Sequence, residues 1–428
     1  RDGARGRAGA PHAGEAMRAG EPMDLEELRP FQGGRRALVV GGIVGAAGLV
    51  LTLVGGFFDS THAILSYLVA YMFWLGVCIG ALALNMSNYA ARARWHIVIR
   101  RAIEAIHAPL PVFVVLFLPL LIFAKQAFLW VSPPQGLPEE VMEALHHKHG
   151  YLNIGFFLVR AIVYFAVWLV LSELLYHWSV AQDENGAARY TARSRRWGAG
   201  GLPFLAFSFT FAVFDWVMSL DPTFYSTIFG LYVFAGGFDA FLGALIVLLY
   251  LSHHDVHGFG VLVRVDHFHN VGKLLLAFVA FWAYMAFSQY MLIWVAGIPE
   301  EIPWVLVRTR GPWKPVFTFL CLGHFVLPFF ALLSRDLKRH PGALVVAAIW
   351  MMFMHFVDLC WLILPAAEHT GLGNNWTQAG LNVHWTLLTA FVGVGGLTLA
   401  AGAFRARGRY AVPIRDPYLN DSLEYVQP

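Results

Sequence analysis

Ionisable side chains stand where the sequence is otherwise apolar. Arg160 and Glu173 share one apolar run, Asp215 lies in a second that closes on Asp221, and Asp239 lies in a third. Lys273, His324 and the pair His355 and Asp358 lie in the runs that follow. A charge placed in hydrocarbon costs several kcal/mol, so such groups are kept either as satisfied structural pairs or because they carry or balance charge. At about 1.5 Å of helix per residue, Arg160 sits about 14 Å from the edge of its run, His324 about 16 Å, His355 about 13 Å, and Asp215 about 9 Å beyond Asp221. Arg160 stays ionised and needs a carboxylate or water beside it. Asp215 and Asp239 both qualify as that partner, and Asp239 follows Gly236 and Gly237, where two helices can approach closely. Tyr164 shares the face of Arg160, and Asp358 that of His355. Asp358 could fix the imidazole tautomer and raise its basicity. His324 and His355 could instead be axial haem ligands, although a second bis-histidine pair is missing.

Other groups carry weaker signals. Tyr284, Ser288 and Gln289, together with His324, could line a quinone or water pocket or simply bond between helices. Glu173 and Tyr176 could admit protons at one membrane face or could snorkel there. The clusters His146, His147, His149 and His253, His254, Asp255, His257, with His267 and His269, match no closed zinc spacing and read as surface histidine. Cys78, Cys321 and Cys360 are too few and too scattered for an iron–sulfur cluster, and no C-x-x-C-H motif is present for a c-type haem. No metal ligand set is assigned, and any electron carriers are expected in partner chains. No phosphate-binding glycine loop, nucleophile elbow or nucleic-acid signature is found.

The elements that must position these groups follow from composition. Of 428 residues, 58% are hydrophobic and 13% charged, and the mean hydropathy is +0.58. That leaves too little charge to coat soluble domains of this total length. A bilayer core takes about 20 helical residues, and ten runs fit: 37–58, 61–86, 95–125, 151–179, 200–220, 224–251, 270–296, 313–334, 342–364 and 382–404. The fold class is all-α integral membrane. The third run should enter along the interface with Arg100, Arg101 and Glu104 and then kink at Pro109 and Pro111. Asp221, Pro222 and Thr223 should make a tight hairpin between the fifth and sixth.

Of the 30 Lys and Arg, only Lys125, Lys148, Arg308, Arg310 and Lys314 fall on one side, and Arg160 lies within a run. The rest fall on the other side, which places both termini in the cytoplasm. The expected organisation is a disordered N-terminal tail at 1–35, a membrane domain at 36–404 and a cytoplasmic C-terminal tail at 405–428. The Arg-, Gly- and Ala-rich start does not read as a signal peptide.

Several long stretches resemble a known family. They include SYLVAYMFWLGVCIGALAL at 66–84, WHIVIRRAIEA at 95–105 and YLNIGFFLVRAIVYFAVWLVLSELL at 151–175. FDWVMSLDPTFYSTIFGLYVF at 214–234 and GKLLLAFVAFWAYMAFSQYMLIWVAGIPEEIPW at 272–304 follow, as do LLSRDLKR at 332–339, FVDLCWLILP at 356–365 and the tail PIRDPYLNDSLEYV. Together they are similar to the second quinone-type membrane subunit of Alternative Complex III, within the NrfD-type (polysulfide-reductase membrane-anchor) superfamily. The resemblance covers roughly 36–425.

It implies ten helices, with the second to fifth and sixth to ninth forming two four-helix bundles and the first and tenth peripheral. It implies a subunit of a quinol:cytochrome c oxidoreductase in the bacterial inner membrane. The implied partners are a second NrfD-type subunit, an iron–sulfur subunit, c-type cytochrome subunits and, in some settings, a terminal oxidase. It implies no redox centre in this chain, with iron–sulfur clusters and c-type haems in the partners. A quinone such as menaquinone is the implied guest, held chiefly by the sister subunit. By position, the intramembrane charges of the family correspond to Arg160, Asp215, Asp221, Asp239, Lys273 and Asp358, and its acidic loop to Glu300 and Glu301. His355 stands where the family pattern has Arg, and Cys360 where it has Tyr.

The resulting expectation is a proton path. It runs from Glu173 and Lys273 through Asp239, Arg160 and His324 to Asp215, His355, Asp358 and Asp221. The rivals are direct quinol binding at Tyr284, Ser288, Gln289 and His324, and a purely structural anchor.

Overall fold

A bilayer core offers no water to backbone groups, so a chain crossing it must satisfy its own hydrogen bonds. The computed structural model describes residues 29–253, 255, 258–297, 301–366, 381 and 383–427. Among these residues every regular element is helical, and ten helical spans are long and apolar enough to cross a membrane. They are α1 Arg35–Phe58, α2 Ser60–Ala90, α3 Ile97–Ile122, α4 Ile154–Asn185, α5 Ala188–Leu220, α6 Phe229–Leu251, α7 Val265–Ala296, α8 Gly311–Leu333, α9 Pro341–Ile363 and α10 Thr386–Ala406. Residues 1–28 of the expected tail at 1–35, and Glu300, His254 and His257, lie outside the described residues, whereas Phe31 is buried and its amide donates to the Arg409 carbonyl.

Helices α2–α5 pack as one four-helix bundle and α6–α9 as another, while α1 pairs with α10 and both lean on α2. The hub is α2, whose most apolar window is 94% buried against 22% for α1. It meets α6 where Gly76 faces Gly237, since a Cβ on Gly76 would stand 3.2 Å from the Gly237 Cα. The α1–α10 pair closes in the same way, with Gly48 against Gly393. Between membrane helices, which gain little from the hydrophobic effect, such close backbone approach supplies the packing attraction.

Helix ends differ from the hydropathy limits. α4 continues to Asn185, and Gly186 caps it in the left-handed region at φ 66°. α5 starts at Ala188, well before residue 200, and its first turns carry Arg189, Arg193, Arg195 and Arg196. Charged turns prolong a helix beyond the oil, where a hydropathy window no longer registers it. α3 is broken as its prolines require, into Arg100–His107, Leu110–Leu116 and Leu118–Ile122. The α5–α6 link runs over 221–228 rather than three residues, and Asp221 accepts from the Thr223 amide and hydroxyl.

The segment after α10 folds back over the face that carries the α2–α3 and α6–α7 loops. Arg94 donates to Asp421 (2.6 Å), Arg100 to Asp416 (2.5 Å), and the Ser422 hydroxyl to the Trp95 carbonyl (2.7 Å). Arg264 donates to the Leu423 carbonyl at 3.1 Å. This face is called the terminal face below.

Candidate functional site

Each bundle holds its own polar core. In the first, the Arg160 Nε and Nη2 donate to the two oxygens of Asp215 at 2.8 and 2.9 Å, and Nη1 donates to the Tyr151 carbonyl at 2.9 Å. The Tyr164 hydroxyl donates to Asp215 at 2.8 Å, and the guanidinium lies 3.8 Å from the Tyr151 ring centroid. Asp215, not Asp239, is therefore the arginine's partner. The fork geometry matches guanidinium to carboxylate on two bonds, the strong form of this contact. The Ser219 hydroxyl bonds the Asp215 carbonyl. Outside the spans, Lys148 donates to the Pro222 carbonyl at 2.6 Å. Burial lowers the Lys148 pKa and nearby Asp221 opposes the shift.

The second core is built differently. Asp358 accepts from the Tyr232 hydroxyl and, at 3.1 Å, from the Trp282 indole N–H. His355 lies 3.9 Å from Asp358 and makes no hydrogen bond to it. The expected tautomer-fixing bond is absent because Tyr232 and Trp282 have taken the carboxylate. His355 stacks on Phe73 of α2, with centroids 5.5 Å apart, and fits against α6 only because residue 236 is glycine, where a Cβ would come within 2.4 Å of its Nδ1.

His324 stacks on Trp282 at 3.7 Å. It lies in a π-helical turn, Cys321–Val326. Pro328 follows and can give no N–H to the His324 carbonyl, which favours a widened turn there. Asp239 shares a face with Gly236 and Gly243, both of which meet α9, so it faces α9 one turn from His355. Asp239, His324 and His355 are at most 1% exposed, and both polar side-chain atoms of each lack a hydrogen-bond partner among the described residues.

Beside this core is a cavity of about 530 Å³ between α7, α8 and the short helix Ile302–Thr309. Its walls are apolar and aromatic, with Trp304, Phe317 and Trp361 among them, and Tyr232 and Trp282 form the side towards Asp358. Tyr284 and Gln289 line it, whereas Ser288 and His324 do not. His324 is behind Trp282, and Tyr284 is 63% exposed. The Gln289 Oε1 is buried without a partner among the described residues.

Other expected members sit apart. Glu173 is gripped by Arg405 at 2.6 and 2.8 Å, and the Tyr176 hydroxyl donates to the Arg405 carbonyl. Lys273 is exposed near the terminal face. Glu301 is buried. Arg100, Arg101 and Glu104 are covered by protein. They are at most 3% exposed and form a closed cluster with Asp416 and Asp183. Beyond them, His107 bonds Ser172 at 2.8 Å and Asn85 at 3.2 Å.

Sequence reasoning did not single out His107, Asp416, Tyr232, Trp282 or Arg308 as site residues. Arg308 is 2% exposed, donates to the Trp304 and Leu362 carbonyls at 3.1 and 2.8 Å, and stacks on Trp304. The four-residue spacing of Trp304 and Arg308 was the available signal for that stack.

The nine residues of the expected proton path thus divide. Arg160, Asp215 and Glu173 belong to the first bundle, Asp239, Lys273, His324, His355 and Asp358 to the second, and Asp221 to the link between α5 and α6. The class defined by this fold and these cores is a multi-pass helical membrane protein with an ionisable centre in each of two bundles. No protein-family model matches the chain, and no curated protein matches it.

Proposed function

We propose that this chain is a membrane subunit of a quinol-oxidising complex of the Alternative Complex III type, and that it moves or balances protons while partner subunits carry the electrons. The partners are a sister NrfD-type subunit, an iron–sulfur subunit and c-type cytochromes, in the bacterial inner membrane with both termini of this chain cytoplasmic. Oxidation of a quinol releases two protons for two electrons, so a complex with its electron carriers elsewhere still needs titratable groups near the membrane interior. The observation that supports this role is the contrast between the two cores. In the first the ion pair itself is satisfied, with each Asp215 oxygen bonded and Arg160 forked onto it, although the Tyr151 hydroxyl beside it has no partner among the described residues. The second keeps a carboxylate and two imidazoles without partners among the described residues. A structural pair is satisfied, whereas groups that exchange protons keep free lone pairs.

The relay is therefore assigned to Asp239, His355 and His324; Asp358, whose two oxygens are bonded by Tyr232 and Trp282, and Arg160 with Asp215 are assigned to charge balance. In vesicles holding the assembled complex, Asp239→Asn is expected to lower proton uptake per quinol or its rate, with the complex still assembled. Unchanged stoichiometry and rate would remove the relay. If this chain is only an anchor, Asp239→Asn should reduce assembly and leave coupling untouched.

The cavity favours a second reading, direct quinone binding. Its volume and aromatic walls suit a ring, and Gln289 offers an unused acceptor. A photo-reactive quinone should then label this chain on Ile302–Thr309 or α8. Label confined to the sister subunit counts against it.

A further inference from the structure

A different face of the molecule carries an independent site. A groove of about 460 Å³ runs between α4 and α5, walled by Val167, Val170 and Leu171 on one side and by Trp197 and Phe204 on the other. Its floor is the α5 backbone at Gly200 and Gly201. A Cβ on Gly200 would meet nothing within 4 Å, so the missing side chain leaves the groove open at that point. From Arg196 to Phe204 it extends about 12 Å along the helix, which is a substantial part of an acyl chain.

The groove changes character along its length. Arg189, Arg193, Arg196, Gly200 and Phe204 recur at helical spacing and are all exposed, so they form one stripe that is basic at the terminal face and apolar inward. Arg189, Arg193 and Arg196 form no ion pair with any described residue. Arg195, on the adjacent face, lies over the Tyr418 ring. Trp197 sits at the boundary between the two zones, 45% exposed and edge-on to Trp178 at 6.2 Å, the placement of an interfacial aromatic.

We propose that this groove is a binding site for an anionic phospholipid, with the phosphate held by Arg193 and Arg196 and one acyl chain lying over Gly200 between Val167, Val170 and Phe204. Charge complementarity selects the headgroup. The arginines are ionised, lack acidic partners among the described residues, and stand at the end of an apolar slot rather than on an isolated surface. A transmembrane helix from a partner would fill the slot but leave those charges unmatched at its rim. The site is separate from both ionisable cores and stands whether or not the proton role does.

Trp197 provides the readout. The full-length chain is placed in phosphatidylcholine nanodiscs containing increasing fractions of phosphatidylglycerol with brominated chains, and the difference from Trp197→Phe isolates the signal of that indole. Brominated phosphatidylglycerol is expected to quench Trp197 at a lower mole fraction than brominated phosphatidylcholine. Arg193→Gln with Arg196→Gln should raise the half-quenching fraction of phosphatidylglycerol roughly fivefold for each charge removed, since each is worth about 1 kcal/mol near a surface, and should leave phosphatidylcholine unchanged. Gly200→Leu, which projects into open space, should weaken quenching by both lipids while circular dichroism stays native. Equal quenching by the two lipids in the wild type, or a double variant that keeps the preference, overturns the proposal. So does loss of Trp197 quenching in the assembled complex, which would place a polypeptide in the groove.

Discussion

Arg160 shows what a single buried charge demands. Its side chain is 9% exposed and that of Asp215 is fully buried, and they meet through two parallel bonds. Asp215→Asn leaves the guanidinium without its counter-charge, and breaking a buried pair in this way costs about 3–5 kcal/mol. Denaturant titration of the purified chain in detergent should show the loss. The double variant Arg160→Leu with Asp215→Leu should cost less than Asp215→Asn alone, because no orphaned charge is left behind. If the double variant is the less stable, the pair is not what holds this site. The sequence placed Arg160 in the membrane interior and left two carboxylates as partners, because depth along a helix does not say which helices are neighbours. It could not anticipate that Asp358 would be claimed by Tyr232 and Trp282, since those residues come from two other helices.

At the scale of elements, hydropathy locates the spans and misses their ends and their ranks. The hub α2 and the peripheral α1 have similar mean hydropathies, 2.0 and 2.4, yet opposite burial, because lipid and protein interior are equally apolar and only neighbouring helices distinguish them. The charges in the first turns of α3 were read as interfacial for the complementary reason: a run of arginines resembles a membrane surface until Asp183 and Asp416 arrive from distant parts of the chain.

The start of α2 shows a local device. Asp59 accepts from the His62 amide at 3.0 Å and from its ring at 2.7 Å. Burial pushes the Asp59 carboxyl up, but the His62 bonds outweigh this and hold its pKa below 3.8. Asp59→Ala should cost about 1 kcal/mol, as for other caps. A carboxyl with a depressed folded pKa contributes stability that is complete above its unfolded value and is lost as pH falls through the folded one. The difference between wild type and Asp59→Ala should therefore be constant at neutral pH and shrink below pH 3.8. A difference that persists unchanged well below pH 3.8 would exclude the carboxylate cap.

At the scale of the whole molecule, the two bundles touch where α2 meets α6 and α9 and where α5 meets α6, and they are bridged again by the chain after α10. Asp416 neutralises Arg100, which is 1% exposed and whose other acid, Glu104, is 3.5 Å away. Ser422 bonds Trp95 on the first bundle's loop, and its carbonyl meets His267 on the second, where Arg264 also reaches Leu423. Ala411, Val412 and Leu419 are buried beneath. The segment therefore does two separable things, supplying a counter-charge and tying two bundles together. Asp416→Asn removes only the first and should cost several kcal/mol, because Arg100 cannot return to water. Ending the chain after Ala406 removes both. The helix-to-helix seams remain, so each bundle should keep its helices, but their unfolding should lose part of its shared cooperativity. A single transition followed by tryptophan fluorescence in the full chain is expected to split or broaden in the truncated one, while Asp416→Asn shifts the midpoint and keeps the transition sharp. Were the truncated chain to unfold as sharply as Asp416→Asn, the helix seams alone would couple the bundles, and the terminal segment would serve only as a counter-ion.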